Sequence, residues 1–157
     1  MDCTEKITLD IFLKPCVLKA KNKNPRIGIS INSEKLDEFE AVPDEVGITK
    51  VSYSIEISEG ENVLAISLLN KESDQDTVVS DTGEILDDLN CDIIGVTIEG
   101  VELDNLVRTH GTYYLNEPVF YNNEENSVLP GHTFLSWNGT FKFRFSSPLY
   151  IWLLENV

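Results

Sequence analysis

Residues 140–145 read Thr-Phe-Lys-Phe-Arg-Phe, in which polar and apolar side chains alternate without interruption. Alternation with a period of two places every second side chain on one face of an extended strand, which a helix cannot do. The same alternation recurs upstream in short runs separated by turn residues. These runs are residues 7–13, 27–31, 51–57, 63–69 and 93–101. The sequence therefore predicts an all-β fold, an antiparallel, jelly-roll-like β-sandwich.

Four local features add detail to this prediction. The dipeptide Asn138-Gly139 between two apolar runs predicts a tight hairpin turn. Residues 110–130 have no regular alternation and are expected to form a long surface excursion. Residues 149–154 are almost wholly apolar, which predicts a buried C-terminal strand. No segment has a convincing helical period, and the best candidate, residues 34–40, is short.

Composition indicates what kind of partner this chain could bind. A length of 157 residues predicts a single domain over residues 1–157, large enough to form a core without metals or disulfides. The formal net charge is −15, which argues against nucleic acid and anionic membrane surfaces as partners. Such a charge favours binding of cations or docking onto a basic protein surface.

The cysteines are odd in number and lack the spacing of a metal site or a disulfide framework. Cys3, Cys16 and Cys91 are therefore expected to be free thiols in a protein made in a reducing cytoplasm. The N-terminus has no basic stretch followed by an apolar stretch, and no apolar run is long enough to span a bilayer. The sequence predicts a soluble protein.

The most acidic stretch is residues 70–92, which carries eight carboxylates against one base, Lys71. Apolar runs lie on both sides, so the stretch is predicted to be one long acidic loop between two strands. Clustered carboxylates repel one another unless water solvates them or a cation such as Ca²⁺ is shared among them. Both alternatives stay open at this point. The candidate calcium ligands are Asp74, Asp76, Asp81, Asp87, Asp88 and Asp92.

Nothing in the sequence indicates catalysis. His110 and His132 lie far apart in predicted loops, and neither stands in a spacing that suggests a nucleophile and its base. Paired carboxylates need a cleft that separates their pKa values, which an exposed loop does not supply. The protein is therefore predicted not to be an enzyme.

Aromatic side chains are the candidates for contact with a ligand or a partner. Trp137 precedes the predicted tight turn, where an exposed indole could stack on a sugar ring or, alternatively, belong to the core. Tyr113, Tyr114 and Tyr121 lie in the predicted excursion, where they could cap the core or face a partner.

Several short pieces of the chain resemble β-sandwich proteins encoded by tailed bacteriophages, notably those that infect cyanobacteria. They include Leu-Ala-Ile-Ser-Leu-Leu-Asn-Lys at 64–71 and Leu-Pro-Gly-His-Thr-Phe-Leu-Ser-Trp-Asn-Gly-Thr at 129–140, and the likeness extends over residues 48–154. The further pieces are residues 76–77, 81–85, 92–94, 98–103 and 143–152. The resemblance implies a non-enzymatic accessory component of the virion, in the capsid or the tail. Such a protein would be made in the host cytoplasm and would dock on other virion proteins.

The pattern of strand, acidic loop and strand also resembles calcium-dependent carbohydrate-binding modules. In those modules an Asn after a strand and several Asp residues hold the metal, which implies Asn70, Asp76, Asp81 and Asp92 as candidates here. This second resemblance implies Ca²⁺ as a cofactor and a glycan as the ligand, including a glycan on a host surface.

Overall fold

Two antiparallel sheets dominate the computed structural model, which describes residues 3–72 and 75–156. The five-stranded sheet has the order β12 (Phe134–Leu135), β8 (Asn90–Ile98), β1 (Thr4–Cys16), β4 (Thr49–Ser58), with β9 (Val101–Glu102) paired to β8. The six-stranded sheet has the order β11 (Glu124–Pro130), β10 (Gly111–Tyr121), β13 (Gly139–Ser147), β5 (Gly60–Leu68), β2 (Arg26–Ile31), β3 (Glu34–Glu40). The predicted all-β sandwich is confirmed.

One hydrophobic core lies between the two sheets because the central strands turn every second side chain inward. The five-stranded sheet contributes Ile7, Leu9, Ile11 and Leu13 from β1, all of which are buried. Across the core, Phe141, Phe143 and Phe145 of β13 lie on the inner face of the six-stranded sheet. The alternation that predicted these strands is therefore the alternation of core and surface.

The predicted long acidic loop contains a small hairpin. β6 (Thr77–Val79) and β7 (Ile85–Asp88) pair with each other in a separate two-stranded sheet. Residues 80–84 form the turn, in which Gly83 has a φ of +89° that favours glycine. The acidic connection between β5 and β8 is thus ordered over most of its described length.

The C-terminal strand prediction is wrong, since residues 149–154 belong to α2 (Leu149–Asn156). Leu149, Trp152 and Leu153 are buried, at the spacing of one helical face, and Trp152 packs edge-on against Phe143 at 6.0 Å between ring centroids. The carboxylate of Glu5 accepts the Leu149 N–H at 2.7 Å and so satisfies one of the free donors at the helix start. A short apolar run is compatible with either a buried strand or a buried helix. Contacts with the rest of the protein determine which of the two forms.

The predicted Asn138-Gly139 hairpin is also wrong. The strands on its two sides, β12 and β13, belong to different sheets, so the chain crosses between the sheets at this point. Neither residue has the positive φ that a two-residue hairpin turn of this composition requires. The Asn138 side chain instead hydrogen-bonds to the main chain of Lys71.

The segment predicted to be irregular, residues 110–130, forms the hairpin of β10 and β11. Its turn is Asn122-Asn123, and both residues have positive φ, which asparagine tolerates. The alternation fails here because the pairing shifts between Tyr114 and Val119, where residues bulge out of β10.

Helices are few in the described part of the chain. α1 (Asn105–Thr109) is a short helix between β9 and β10. Residues 34–40 form the edge strand β3 rather than a helix. None of the described helices is long and apolar enough to cross a membrane.

Candidate functional site

The acidic segment, residues 70–92, is attached to one end of the sandwich through its side chains. Its first member, Asn70, accepts the N–H of Arg26 at 2.8 Å and donates to the carbonyl of Asn24 at 3.0 Å. Both bonds use main-chain groups at the start of β2. Asn70 therefore fastens the beginning of the segment to the six-stranded sheet.

Among the described carboxylates of the segment, Asp76 is the most deeply buried, with no exposed surface. It accepts hydrogen bonds from the ammonium groups of Lys21 at 3.0 Å and Lys23 at 2.5 Å, and from the N–H of Glu72 at 2.9 Å. Burial alone would raise the pKa of Asp76, but these three donors outweigh it and lower the pKa from 3.8 to about 2. The carboxylate is ionised and neutralised by protein cations.

Acid should weaken the contacts of Asp76 with Lys21 and Lys23. Because the folded-state pKa of Asp76 lies below the ordinary value of 3.8, ionised Asp76 stabilises the fold above about pH 4. That stabilisation, about 2 kcal/mol, is lost as the pH falls from about 4 to 2. We therefore expect Asp76→Asn to lower the free energy of unfolding by about 2 kcal/mol at pH 7, measured by urea denaturation, and by much less at pH 2. The exposed Asp81→Asn is the matched control, and equal losses for both variants would contradict the assignment.

Asp87 and Asp88 likewise already have donors within the protein. Asp87 accepts the N–H of Ala20 at 2.9 Å and that of Lys19 at 3.2 Å, and these bonds lower its pKa. Asp88 pairs with the buried ammonium group of Lys71 at 2.8 Å and accepts further bonds from Thr77 and Asn90. The hairpin of β6 and β7 is thus held against the body of the protein.

The other predicted calcium ligands lie apart. Asp81 is exposed in the turn between β6 and β7, and Asp74 lies outside the described residues. Asp92 is half-buried on the outer face of the five-stranded sheet, in a cavity of about 590 Å³ that also contains Arg108. Burial raises the pKa of Asp92, and the positive charge of Arg108 partly offsets that rise.

The positions of these carboxylates show whether the described residues could coordinate a calcium ion. Ca²⁺ takes six to eight oxygen ligands that converge on one point. In residues 3–72 and 75–156, no group of three or more His, Cys, Asp or Glu side chains is placed to hold a metal ion. The oxygens of Asp76, Asp87 and Asp88 already accept hydrogen bonds from lysines and main-chain N–H groups. The described carboxylates, in this arrangement, do not fit Ca²⁺.

The acidic segment is joined directly to the region of Trp137. The N–H of Lys71 donates to the side-chain oxygen of Asn138 at 2.8 Å, and the Asn138 amide donates back to the Lys71 carbonyl at 2.7 Å. The Lys71 ammonium group also donates to the carbonyl of Ser136 at 2.6 Å. The structure thus brings together two features that the sequence analysis treated separately.

Trp137 is half-buried and is held by a stack of rings. Its indole lies 6.3 Å from the His132 ring, and His132 in turn stacks on Tyr113 at 5.8 Å between centroids. The main-chain N–H of Trp137 donates to the Tyr113 hydroxyl at 3.2 Å, and that hydroxyl donates to the main-chain carbonyl of Trp137. Burial lowers the pKa of His132, which favours a neutral ring in this stack. The main chain at Trp137 is therefore held by Tyr113, and the indole packs partly against the hydrophobic core.

A groove of about 410 Å³ lies beside Trp137, and we call it the Trp137 groove. Its lining residues are Lys71, Glu72, Asn116, Glu117, Pro118, Val119, Trp137 and Asn138. The bulge of β10 forms one wall, and the start of the acidic segment forms another. One rigid aromatic ring beside carboxylate and amide groups suits a ligand with an apolar face and several hydroxyls.

The three tyrosines predicted to cap the core or face a partner differ in position. Tyr113 is completely buried and acts as a core residue beneath Trp137. Tyr114 is half-buried on the outer face of the six-stranded sheet, with the Lys142 ammonium group 5.3 Å from its ring centroid. The side chain of Tyr121 lies outside the described residues.

The residues that the sequence analysis missed are the basic partners of the acidic segment. Lys21 and Lys23 neutralise Asp76 from a short turn that lies more than 50 positions upstream. Residues 19–23 read Lys-Ala-Lys-Asn-Lys, one of the most basic stretches of the chain. That concentration of positive charge was the available signal that the carboxylates would find partners within the protein.

Comparison with known proteins identifies a class of fold. No protein family model and no curated protein matches the chain. One similar solved structure is a calcium-dependent carbohydrate-binding module, from a family that circular permutation links to another. The similarity covers 87% of this chain and 89% of the module, with a TM-score of 0.54 and 9% sequence identity. A C2 domain-containing protein from a putative elicitor-responsive gene aligns over 94% and 93% at 11% identity, with a TM-score of only 0.30. The similarity to the first protein supports the β-sandwich fold.

Proposed function

We propose that this chain is a non-catalytic glycan-binding module and that the Trp137 groove is its contact surface. The observation that carries the proposal is the rigid, half-buried indole of Trp137 at the edge of a groove with several polar side chains. The sandwich fold, which the chain has in common with a carbohydrate-binding module, supports the same function.

Each part of the groove has a role in this proposal. Sugar rings carry C–H groups on one face, which pack on the electron-rich face of an indole. Glu72 and Glu117 would accept hydrogen bonds from sugar hydroxyls, while the amide of Asn116 can both donate and accept. The bulge that carries Asn116 and Glu117 is fixed by the bond from the Asn116 N–H to the Asn138 carbonyl at 3.0 Å. A fixed site loses less conformational entropy when the ligand binds.

Calcium has no part in the proposed contact, because Asp76, Asp87 and Asp88 already accept hydrogen bonds within the protein and Asp81 and Asp92 lie apart from them. This separates the chain from its structural neighbour, which is described as calcium-dependent. Binding measured with and without a chelator tests the difference. Loss of glycan binding in chelator would restore the calcium hypothesis for the acidic segment.

Replacing Trp137 provides the decisive experiment. A glycan array identifies a neutral oligosaccharide ligand, and titration calorimetry then compares the wild type with Trp137→Ala and Trp137→Phe. We expect Trp137→Ala to weaken binding at least about tenfold, or about 1.4 kcal/mol, because the stacking surface is lost. Trp137→Phe should retain part of the affinity.

The matched control is Phe120→Ala, which removes an exposed aromatic ring from the same hairpin but outside the groove. Its affinity should equal that of the wild type. Thermal melts of all variants confirm that each remains folded. Equal binding by wild type and Trp137→Ala would overturn the proposed site, and release of new reducing ends from the oligosaccharide would overturn the non-catalytic assignment.

The hypothesis of an accessory virion component stays a prediction, because neither the fold nor the comparisons bear on it. A glycan-binding role is compatible with a location on a phage particle that meets host-surface glycans. Mass spectrometry of purified particles tests the location, and a protein absent from the particle cannot be a virion component.

A further inference from the structure

A second groove differs from the rest of the protein in its charge. It lies on the outer face of the six-stranded sheet across β2, β5 and β13, has a volume of about 380 Å³, and we call it the basic trough. Its polar lining residues are Ser30, Asn32, Ser33, Ser67, Thr140, Lys142 and Arg144. The chain has 27 acidic and 12 basic residues, yet this lining contains two bases and no carboxylate. The Trp137 groove, by contrast, contains two carboxylates.

The register of the strands explains why there is a trough at this place. Lys142 of β13 lies opposite Ala65 of β5, and Ala65 in turn lies opposite Ser30 of β2. A long side chain therefore stands beside two short ones in the same cross-strand row. In the next row, Thr140 lies opposite Ser67, and their hydroxyls hydrogen-bond at 2.8 Å. Short side chains form the floor, and the two cations of β13 form one wall.

Both cations are available to a ligand. The Lys142 ammonium group lies 5.3 Å from the Tyr114 ring centroid, and within the described part of the chain no carboxylate forms an ion pair with it. Arg144 pairs with Glu61 at 3.5 Å, but Glu61 is 63% exposed, and such surface pairs contribute little. The guanidinium group has five N–H donors, so it can bind a carboxylate or a sulfate in addition.

We propose that the basic trough binds an anionic polysaccharide through its carboxylate or sulfate groups. This inference goes beyond the Trp137 groove and rests on the proposed function only in taking the ligand to be a carbohydrate. Arg144 and Lys142 bind the anionic group, because a guanidinium fork matches the geometry of such oxyanions. The hydroxyls of Ser30, Ser67 and Thr140 exchange hydrogen bonds with sugar hydroxyls.

Charge favours a polysaccharide over a nucleic acid as the occupant. Nucleic acid binding requires many lysines and arginines to neutralise closely spaced phosphates. The trough supplies two cations in a chain of net charge −15, which repels a dense polyanion. A polysaccharide that carries its charges more sparsely can place one or two of them at Lys142 and Arg144 while its other sugars make neutral contacts.

The experiment compares hyaluronate, κ-carrageenan and neutral dextran in affinity gel electrophoresis, with a single-stranded oligonucleotide as a further probe. Hyaluronate carries a carboxylate, and κ-carrageenan a sulfate, on alternate sugars, so both are sparsely charged. The first two polymers distinguish a carboxylate from a sulfate as the bound group. We expect at least one of them to retard the wild type, while neutral dextran and the oligonucleotide do not. The double variant Lys142→Gln/Arg144→Gln should bind that polymer at least tenfold more weakly.

Lys50→Gln is the matched control, because Lys50 is also a cation beside an aromatic ring, 5.5 Å from the Phe12 centroid, but on the outer face of the other sheet. Its binding should equal that of the wild type. An equal loss in Lys50→Gln would overturn the trough as a specific site, and so would stronger retardation by the oligonucleotide or no retardation by either anionic polymer.

The Trp137→Ala variant separates this proposal from the proposed function. We expect it to bind the anionic polymer normally. If it abolishes that binding while the double variant does not, the anionic sugar lies at the Trp137 groove and the trough is overturned. If a neutral oligosaccharide binds in a Trp137-dependent way and no anionic polymer binds, the proposed function stands without the trough.

Discussion

Replacing Lys71 with Met will lower the free energy of unfolding by about 3 kcal/mol, because it leaves a charge without its partner inside the protein. The Lys71 side chain is 5% exposed, and its ammonium group donates to Asp88 at 2.8 Å and to the Ser136 carbonyl at 2.6 Å. Methionine fills nearly the same volume but supplies no donor. Urea denaturation of the wild type and the variant measures the loss.

A double-mutant cycle separates the ion pair from the rest of this effect. Asp88→Asn should also destabilise the protein, while the double variant Lys71→Met/Asp88→Asn should lose less than the sum of the two single losses. A coupling of about 1 to 3 kcal/mol is expected for residues in direct contact within one network. A loss below about 1 kcal/mol for Lys71→Met would show that water reaches the site and that the pair contributes as little as a surface pair.

Adding one methyl group at Gly139 will destabilise the protein by about 2 to 3 kcal/mol through a steric clash between the start of β13 and the neighbouring strand β10. A β-carbon at Gly139 would overlap the carbonyl oxygen of Tyr114 and would lie 3.0 Å from both the Leu115 α-carbon and the Tyr113 ring. The overlap is with the main chain, which cannot rotate away. Gly139 begins β13 next to the Trp137 groove, so the substitution should also weaken the proposed glycan binding.

The matched control for this substitution is Gly95→Ala on β8. A β-carbon there would meet the Phe12 ring at 3.6 Å, which is an ordinary van der Waals contact. We expect its free energy of unfolding to change by less than about 1 kcal/mol, and the lower entropy of the unfolded chain acts in its favour. Thermal and urea unfolding of both variants check the prediction. Equal stability for the two would contradict the close approach of β13 and β10.

The fold class could be predicted because the sandwich depends on a local pattern. In β1, β5 and β13, most inward residues are apolar and their neighbours are more exposed, the buried polar exceptions being Asn62 and Ser147. The sequence alone therefore identifies both the strands and their inner faces. The all-β prediction succeeded for this reason. The acidic segment was also recognised, since its composition differs from the strands on both sides.

Pairing between distant residues could not be predicted from such patterns. Asn138-Gly139 has the composition of a hairpin turn, yet the hydrogen bonds between Asn138 and Lys71 link segments 67 residues apart and direct the chain to the other sheet. Residues 149–154 form a helix because their apolar side chains pack on β13 and Glu5 binds the first turn. In each case a tertiary contact outweighs the local preference.

In the candidate site, too, some features follow from the sequence and others only from the tertiary structure. The sequence by itself determined that Trp137 is a candidate for contact with a ligand and that an acidic stretch leads from one strand to the next. The predicted loop over residues 70–92 is too long, because residues 90–92 belong to β8. Only the tertiary structure placed Lys21 and Lys23 against Asp76, joined Lys71 to Asn138, and aligned Lys142 with Ala65 and Ser30 to form the basic trough. The physical reason is that periodicity and composition act over neighbouring residues, whereas ion pairs and grooves depend on register between strands that are far apart in the chain.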